Sequence, residues 1–336
     1  MALSKIRNDS LADTAVHGRR NIIINGAMQV AQRGTSFADI GSSTYALDRF
    51  HTSSTATGEL AVTISQSSTS PDGFSNSMKL LATTAETTVA AGDRFAFKQR
   101  IEAQDLQHLQ YGTANAKSLT LSFWVRSNVT GTYGVYVYLD DDGRILGSNY
   151  TISAADTWEY KTITFVGDTT GVIDNNTGVG MEIAWHLMAG SNFTGGTADV
   201  WGAYEGGKEA PSHNADWGED ANDDFYITGV QLEIGDTATP FEHRTYGEEL
   251  ALCQRYFYKT LGPIWFTRLS GATDYGRISY SFPTTMRATP TSTTSVSGTF
   301  SVSGNQYMTA QNMGLYVNNP ASVNYLSTGA TFDAEI

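Results

Sequence analysis

Strict alternation of apolar and polar residues over long stretches is the feature of this sequence that most constrains its fold. Residues 119–125 read LTLSFWV and residues 133–139 read YGVYVYL, and in both runs every second residue is aliphatic or aromatic. Further alternating runs cover residues 158–165, 181–187 and 225–232. A period of two over such lengths predicts β-strands that bury one face and expose the other.

The composition favours the same fold class. Charged residues make up 16% of the 336 residues, and 33 glycines stand against 7 prolines. An average globular domain carries about 25% charged residues. Abundant Thr, Tyr and Phe suit a pleated surface, whereas Gly and Asn suit tight turns. Many strands with such connections predict an all-β chain organised as a β-sandwich.

One segment predicts a convincing helix. Thr245 and Glu248 have capping-box spacing, and Leu250, Cys253 and Phe257 follow at helical intervals. We therefore expect a helix from Glu248 to Lys259. This helix divides the chain into an N-terminal segment (1–20), a sandwich (21–240), a helical connector (241–261) and a small C-terminal β domain (262–336).

Residues 1–20 form a polar, partly basic segment with sparse apolar positions. Such a segment cannot bury a core alone. It is either a flexible tail or a docking segment that a partner or sister chains order, and we adopt the docking interpretation.

Charge restricts the classes of partner. The formal net charge is -13, which argues against nucleic acid because that binding rests on clustered Lys and Arg. A neutral glycan remains compatible. No apolar run reaches the roughly 18 residues of a membrane helix, and the N-terminus lacks a signal-peptide core. The single cysteine, Cys253, excludes a disulfide within the chain and fits synthesis in a cytoplasm.

The sequence shows no catalytic or metal-binding motif. None of the six histidines stands at metal-ligand spacing. The run from Gly202 to Lys208 approaches a phosphate loop, but Glu209 replaces the required hydroxyl residue. Asp140 to Gly143 favours a hairpin turn over a calcium loop. We therefore predict a protein that is not an enzyme and holds no cofactor or metal.

The longest irregular stretch, residues 190–222, contains the candidate ligand-binding residues. Aromatic rings stack on sugar faces while Asn and Asp accept hydroxyl groups, and long ordered loops are often functional. The alternative is that the loop's tryptophans pack it onto the sandwich. Trp124, Tyr136 and Tyr138, opposite the aliphatic faces of their strands, form either an exposed platform or a packing layer. The candidates from the loop are Trp201, Tyr204, Asn214, Asp216 and Trp217.

Six stretches of the sequence carry a family resemblance: NIIINGAMQVAQRGT (21–35), YALDRF (45–50), LTLSFWVRS (119–127), FYITGVQLEIGDTATPFEHR (225–244), YGEELALCQRY (246–256) and FPTTMRATP (282–290). Together they resemble a widespread family of phage and prophage virion proteins, commonly described as tail-fibre or tail-collar-like. More distantly, the segments around Asn25 and Asp224 resemble the first and last strands of carbohydrate-binding jelly rolls. In such modules a structural calcium often lies nearby, but Asp223 and Asp224 read as a solvated strand start.

The resemblance implies a jelly-roll sandwich in a virion tail, made in the host bacterial cytoplasm. It further implies a homotrimer whose segment 1–20 binds other tail proteins. The implied function is host recognition through a cell-surface glycan. Two alternatives stay open: a purely structural collar, adaptor or head-decoration protein, and a polysaccharide depolymerase. The depolymerase is less favoured because the short repeat of a β-helix is missing from the sequence.

Overall fold

The computed structural model describes residues 19–38, 40, 44–56, 58, 60–260, 264–267, 275–293, 296–297, 301–318, 323–326 and 330–336. The predicted docking segment therefore lies outside the described residues, apart from Arg19 and Arg20. The strands are β1 (Ser36–Phe37), β2 (His51–Ser54), β3 (Ala61–Ser67), β4 (Ser77–Thr84), β5 (Arg94–Glu102), β6 (Leu119–Ser127), β7 (Gly131–Leu139), β8 (Arg144–Ile152), β9 (Glu159–Phe165), β10 (Val179–Ala189), β11 (Gly202–Ala203), β12 (Asp224–Ile234), β13 (Phe257–Lys259), β14 (Ile264–Thr267), β15 (Tyr275–Ser281), β16 (Thr291–Thr293), β17 (Val296–Ser297), β18 (Ser301–Met308), β19 (Asn312–Asn318), β20 (Val323–Leu326) and β21 (Thr331–Asp333). The α-helices are α1 (Ser191–Thr194) and α2 (Tyr246–Gln254), and 3₁₀ helices span Ala103–Leu109 and Gly206–Lys208.

Two six-stranded antiparallel sheets form the predicted sandwich. Sheet I has the strand order β1-β3-β4-β12-β6-β9, and sheet II has the order β11-β8-β7-β10-β5-β2. The chain crosses repeatedly between the sheets, as in a jelly roll. The predicted all-β class is confirmed, with small C-terminal sheets and few helices beside the sandwich.

The core lies between the two sheets and follows the period-two pattern. On β6, Leu121, Phe123 and Val125 are fully buried, as the alternation predicts. On β10, Trp185 stacks on Phe97 of β5 with ring centroids 5.2 Å apart. Burying one large apolar side chain stabilises a fold by roughly 1.5–3 kcal/mol, so these rows hold the sheets face to face.

Residues 21–28 are not the strand that their apolar run indicates. Asn25 and Met28 have φ angles of 62° and 54°, which no β-strand accommodates. The Asn25 amide donates to the Val30 carbonyl at 2.9 Å and accepts from the Val30 amide at 2.9 Å. Because an asparagine side chain replaces the ladder hydrogen bonds here, the segment forms a buried turn.

Helix α2 begins as predicted and ends earlier. Thr245 caps it through the expected capping box with Glu248. The helix stops at Gln254, and residues predicted to continue it form β13, which pairs with β21 near the C-terminus. The predicted helix to Lys259 is therefore wrong at its end: Phe257 and Tyr258 are buried by sheet pairing instead.

Three of the stretches that carry the family resemblance, 21–35, 225–244 and 246–256, meet at one junction beside α2. The Arg244 guanidinium donates to the Ile23 carbonyl at 3.1 Å, and Glu242 accepts the Asn21 amide at 2.8 Å. Glu249 of α2 accepts the Asn25 amide at 2.5 Å. These contacts fasten residues 21–25 to α2 and the sandwich, so this part of the signature has a structural role.

Candidate ligand-binding groove

Trp217 is not the exposed ring that the sequence suggested. It is fully buried, and its ring centroid lies 5.7 Å from that of Phe95 in the core. A ring without exposed surface offers no face to a sugar, so its prediction as a ligand-binding residue is wrong. The alternative, that this tryptophan packs its loop onto the sandwich, describes its position.

Trp201 and Tyr204 lie at the surface with different surroundings. Trp201 is half-buried, donates its Nε1 hydrogen to the Val166 carbonyl at 2.6 Å and packs edge-on against Tyr111. Tyr204 is 49% exposed, and its ring meets Tyr138 of β7 at 5.6 Å. Of these two rings, Tyr204 has the accessible face.

Asn214 and Asp216 lie away from Tyr204. Both are exposed, and the Asn214 Oδ1 atom accepts the amide of Thr132 at 2.7 Å, near the start of β7. Tyr204 contacts Tyr138, six residues further along that strand, or about 20 Å at the usual strand rise. The structure therefore does not bring the five predicted residues together into one site.

A capping loop, defined here as residues 190–216, covers part of the outer face of sheet II. Gly134 and Gly147 lie beneath it. A Cβ at Gly134 would be 2.4 Å from the Ala210 Cα atom, and one at Gly147 would be 1.8 Å from the Lys208 carbonyl oxygen. Only residues without a side chain allow the loop backbone to approach the sheet this closely.

A buried carboxylate fastens the capping loop to the sheet. Glu209 accepts hydrogen bonds from Arg94 of β5 at 2.5 Å and from the Tyr204 hydroxyl at 2.6 Å. The His186 Nε2 atom of β10 lies 3.2 Å from its Oε2 atom. Burial raises the pKa of Glu209, but His186, Tyr204 and Arg94 outweigh it and lower the pKa to about 2. The carboxylate is therefore ionised at neutral pH.

Beside the capping loop, the outer face of sheet II carries three side chains in one cross-strand row. Tyr138 of β7 stands opposite Glu182 of β10, which stands opposite Arg100 of β5. Lys98 lies two residues before Arg100 and shares its face. Tyr204 of the capping loop forms the rim. We call these five residues, Lys98, Arg100, Tyr138, Glu182 and Tyr204, the groove.

Glu182 is the polar centre of the groove. It accepts hydrogen bonds from the Tyr136 hydroxyl at 2.6 Å and from the Arg100 Nε atom at 2.9 Å, and Lys98 Nζ lies 2.9 Å away. Burial raises its pKa, but Lys98, Tyr136 and Arg100 outweigh this effect and leave the pKa below its ordinary value. Glu182 is thus a buried, ionised acceptor held between two cationic side chains that stay partly exposed.

His51 of β2 lies opposite Lys98, on the side of the groove away from Tyr138. Burial, reinforced by Lys98 and Arg100, lowers the pKa of His51 to about 4, so the ring is neutral at pH 7. Its ring centroid lies 4.7 Å from that of Tyr45. The groove therefore combines neutral aromatic surface with fixed hydrogen-bonding groups, the pairing that sugar recognition requires.

The predicted aromatic platform of Trp124, Tyr136 and Tyr138 does not exist as one surface. Trp124 lies on sheet I, whereas both tyrosines lie on sheet II, so the sandwich separates them. Tyr136 is buried, with its ring 5.7 Å from that of His186. Tyr138 alone of the three belongs to the groove. Sequence reasoning missed Glu182, Lys98 and Arg100 because they become neighbours only through the strand order of sheet II.

A concavity of about 820 Å³ lies at the junction beside α2. Ile22, Ile101 and Leu252 contribute its apolar lining. Four of its arginines pair with carboxylates. These pairs are Arg49–Glu335, Arg100–Glu182, Arg244–Glu249 and Arg255–Glu102.

In the residues that the structure describes, no group of three or more His, Cys, Asp or Glu side chains is arranged to hold a metal ion. No helix within the described ranges is long and apolar enough to cross a bilayer.

No protein-family model matches the sequence, and no curated protein does. Among solved structures, the chain is similar to the enzymatically active domain of tailspike protein 4 from bacteriophage CBA120, with 15% identity and a TM-score of 0.35 over 64% of this chain. That alignment covers 22% of the tailspike chain. TmCBM61 in complex with β-1,4-galactotriose shows 11% identity and a TM-score of 0.33, covering 64% of this chain and 99% of the module. A family 11 carbohydrate-binding module from Clostridium thermocellum, bound to a mixed-linked tetrasaccharide, shows 11% identity and a TM-score of 0.29, covering 62% and 99%. Likenesses this distant assign no ligand to the chain.

Proposed function

We propose that this protein binds a saccharide in the groove of sheet II, and that the groove is the receptor-binding site of a tail-fibre-type virion protein. One observation carries the proposal. The exposed Tyr204 ring and the half-buried Tyr138 ring stand beside the ionised Glu182, with Arg100 as its cationic neighbour. A sugar that packs on the tyrosines brings its hydroxyl groups to Arg100, whose side chain is 30% exposed beside the buried Glu182.

The groove is organised before any ligand arrives. Glu182 is held by three donors, and Tyr204 is held by its hydrogen bond to Glu209. Fixed side chains lose little conformational entropy on binding, which favours affinity. Hydrogen bonds to charged groups contribute roughly 1.5–3 kcal/mol each, and a stacked ring adds about 0.5–1.5 kcal/mol. On a virion surface, many copies of the chain bind at the same time, so a modest affinity at each site gives strong overall attachment.

The virion role rests on the sequence resemblance. The homotrimer, and the attachment of segment 1–20 to other tail proteins, belong to this proposal. The junction is compatible with it, because Arg244 and Glu249 fix Ile23 and Asn25, which follow this segment closely in the sequence. Sedimentation of the full-length chain at micromolar concentration tests the trimer, and a monomeric mass contradicts it.

We propose binding without cleavage. Glycosidases place two carboxylates on either side of the scissile bond. In the groove Glu182 is engaged by Tyr136, Arg100 and Lys98, which leaves it poorly suited to exchange a proton. Release of reducing ends from a bound polysaccharide contradicts this part of the proposal and favours the depolymerase.

The decisive experiment screens a bacterial glycan array and then titrates the strongest glycan into two variants. Tyr204→Ala removes the exposed ring, and Arg100→Ala removes a donor while Lys98 and Tyr136 still hold Glu182. We expect each to weaken binding by about 5- to 10-fold or more. The matched control is Tyr246→Ala, because Tyr246 is 57% exposed and lies on α2.

Two outcomes overturn the proposal. An array without any bound glycan favours the purely structural component. Binding that is unchanged in both groove variants, with unchanged melting temperatures, shows that the saccharide binds elsewhere.

A further inference from the structure

We propose that sheet I carries a second saccharide site, an aromatic strip that accepts an uncharged oligosaccharide. The strip consists of Phe74, Trp124, Tyr160 and Phe241. It lies on the outer face of sheet I, across the sandwich from the groove, and it is independent of the groove proposal.

The strip is built from two pairs of rings. Trp124 of β6 and Tyr160 of β9 are direct cross-strand partners, with ring centroids 5.3 Å apart. Phe74, from the connection between β3 and β4, lies 5.1 Å from Phe241. Tyr160 is 44% exposed, and the other three rings are half-buried. A row of accessible ring faces is the surface on which successive sugar units stack.

A glycine in β12 lets the two halves of the strip meet. Gly229 has a φ of +62° and lies where the register of β12 shifts against β6. A Cβ there would lie 2.7 Å from Phe74 Cζ and 3.2 Å from Trp124 Cδ1. Both rings therefore lean over the backbone of β12, and a side chain at this position would force them apart.

The connection that carries Phe74 is fixed by side-chain hydrogen bonds. The Ser70 hydroxyl donates to the Phe74 carbonyl at 2.6 Å, and the Thr228 hydroxyl of β12 donates to the Asn76 carbonyl at 2.7 Å. The strip is thus held in place before a ligand binds, which lowers the entropy lost on binding.

The polar side chains around the strip fit a neutral ligand. Along β9, Thr162 and Thr164 follow Tyr160 on the same face, and both are exposed. On the other side, Arg126 pairs with Asp156 at 2.5 Å. Hydroxyl groups and a neutralised cation match the hydroxyl groups of an uncharged sugar.

A second copy of the chain is the competing occupant, and the exposures disfavour it. A standard protein interface buries about 800 Å² per partner around an apolar centre. Tyr160 is the one strip residue among the well-exposed large hydrophobic residues. A narrow row of half-buried rings with hydroxyl neighbours suits a slender ligand better than a broad protein face.

The test titrates cellohexaose, xylohexaose and maltohexaose into the full-length chain by calorimetry. Tyr160→Ala and Trp124→Ala should weaken binding by about 5- to 10-fold each. Tyr160→Phe keeps the ring and should bind like the wild type. Tyr204→Ala, in the groove, should leave binding at the strip unchanged.

Three results overturn this proposal. The first is that none of the three hexasaccharides binds at millimolar concentration. The second is binding that Tyr204→Ala abolishes and Tyr160→Ala does not affect, which assigns the sugar to the groove alone. The third is self-association of the wild type that Tyr160→Ala abolishes, which assigns the strip to a subunit interface. If Trp124→Ala fails to fold, the comparison of Tyr160→Ala with Tyr160→Phe still tests the proposal.

Discussion

The two outer faces of the sandwich differ although both are antiparallel sheets of six strands. The outer face of sheet II is partly sealed by the capping loop and carries buried charges such as Glu182 and Glu209. The outer face of sheet I carries the aromatic strip and exposed threonines. Both faces bind part of their own chain, residues 190–216 on sheet II and residues 239–242 on sheet I, but Tyr160 on sheet I stays accessible.

Glycines set this difference. On sheet II, Gly134 and Gly147 allow the backbone of the capping loop to approach the sheet. On sheet I, Gly229 allows two rings to approach the backbone of β12. Because a glycine has no side chain, another part of the chain can pack closely against its backbone: a loop on sheet II and aromatic rings on sheet I.

Buried carboxylates on both outer faces are satisfied, but by different partners. An unpaired ion covered by the chain would be strongly destabilising. On sheet II, Glu209 has Arg94, Tyr204 and His186 around it. On sheet I, Glu233 of β12 accepts hydrogen bonds from the neutral groups of Thr239 and Gln231.

The largest expected effect tests the anchor of the capping loop. Trp217→Ala should lower the free energy of unfolding by about 3–5 kcal/mol, because it empties a core site packed against Phe95. Urea unfolding measures this change. Val200→Ala, in the capping loop and 53% exposed, should cost less than about 1 kcal/mol. Equal effects from both substitutions would show that Trp217 is not a core residue.

The second prediction concerns how the stability that Glu209 contributes between the capping loop and sheet II depends on pH. The pKa of Glu209 is about 2, below its ordinary 4.5, so its contribution is complete above pH 4.5 and is lost as the pH falls towards 2. The contribution is on the order of 3 kcal/mol. The stability advantage of the wild type over Glu209→Gln should therefore shrink across this window, as measured by unfolding at each pH.

A control for the acid experiment lies in the same loop. The Glu205 side chain is 69% exposed and only loosely paired with Lys208. Glu205→Gln should follow the wild type at every pH. An advantage over Glu209→Gln that stays constant from pH 7 to pH 2 would contradict the role of Glu209 as an ionised clamp.

The third effect tests whether a missing side chain admits the loop. In Gly147→Ala the new Cβ meets the Lys208 carbonyl oxygen at 1.8 Å, so the loop backbone must move. We expect a loss of about 1–3 kcal/mol and faster hydrogen exchange in residues 206–213. Gly195→Ala is the control, because nothing lies within 4 Å of a Cβ at that position. Similar exchange in both variants would sink the explanation.

Much of the sandwich could be predicted from the sequence, because burial on one face imposes a period of two. The runs that became β6, β7 and β12 were found this way, and the hairpin at Asp140 to Gly143 joins β7 and β8 as expected. The segment at 21–28 was missed because its apolar residues resemble a strand, whereas the Asn25 amide decides its conformation.

The groove could not be predicted, because its row comes from three strands that are distant in sequence. The alternation shows that Tyr138 points away from the core. It does not show that β10 separates β7 from β5, which is what places Glu182 between Tyr138 and Arg100. Trp217 was misassigned because a Gly- and Asp-rich stretch looks like surface, although its chain turns inward at a buried ring.

The smallest expected effect is on the free energy of unfolding when Tyr160, on the outer face of sheet I, is replaced. Tyr160→Ala should lower the free energy of unfolding by less than about 1 kcal/mol, the range of one exposed cross-strand pair. A double-mutant cycle with Trp124→Ala should give a coupling energy of the same size, measured by urea unfolding.

A loss of several kcal/mol for Tyr160→Ala would contradict the open character of sheet I, because it would mean that Tyr160 is a packing residue like Trp217. Tyr136→Ala provides the matching measurement on sheet II. Its ring is buried and its hydroxyl donates to Glu182 at 2.6 Å, so its loss should be the larger one. If the two tyrosines cost the same, burial by the capping loop does not distinguish the two faces, and accessibility alone cannot identify either one as the ligand surface.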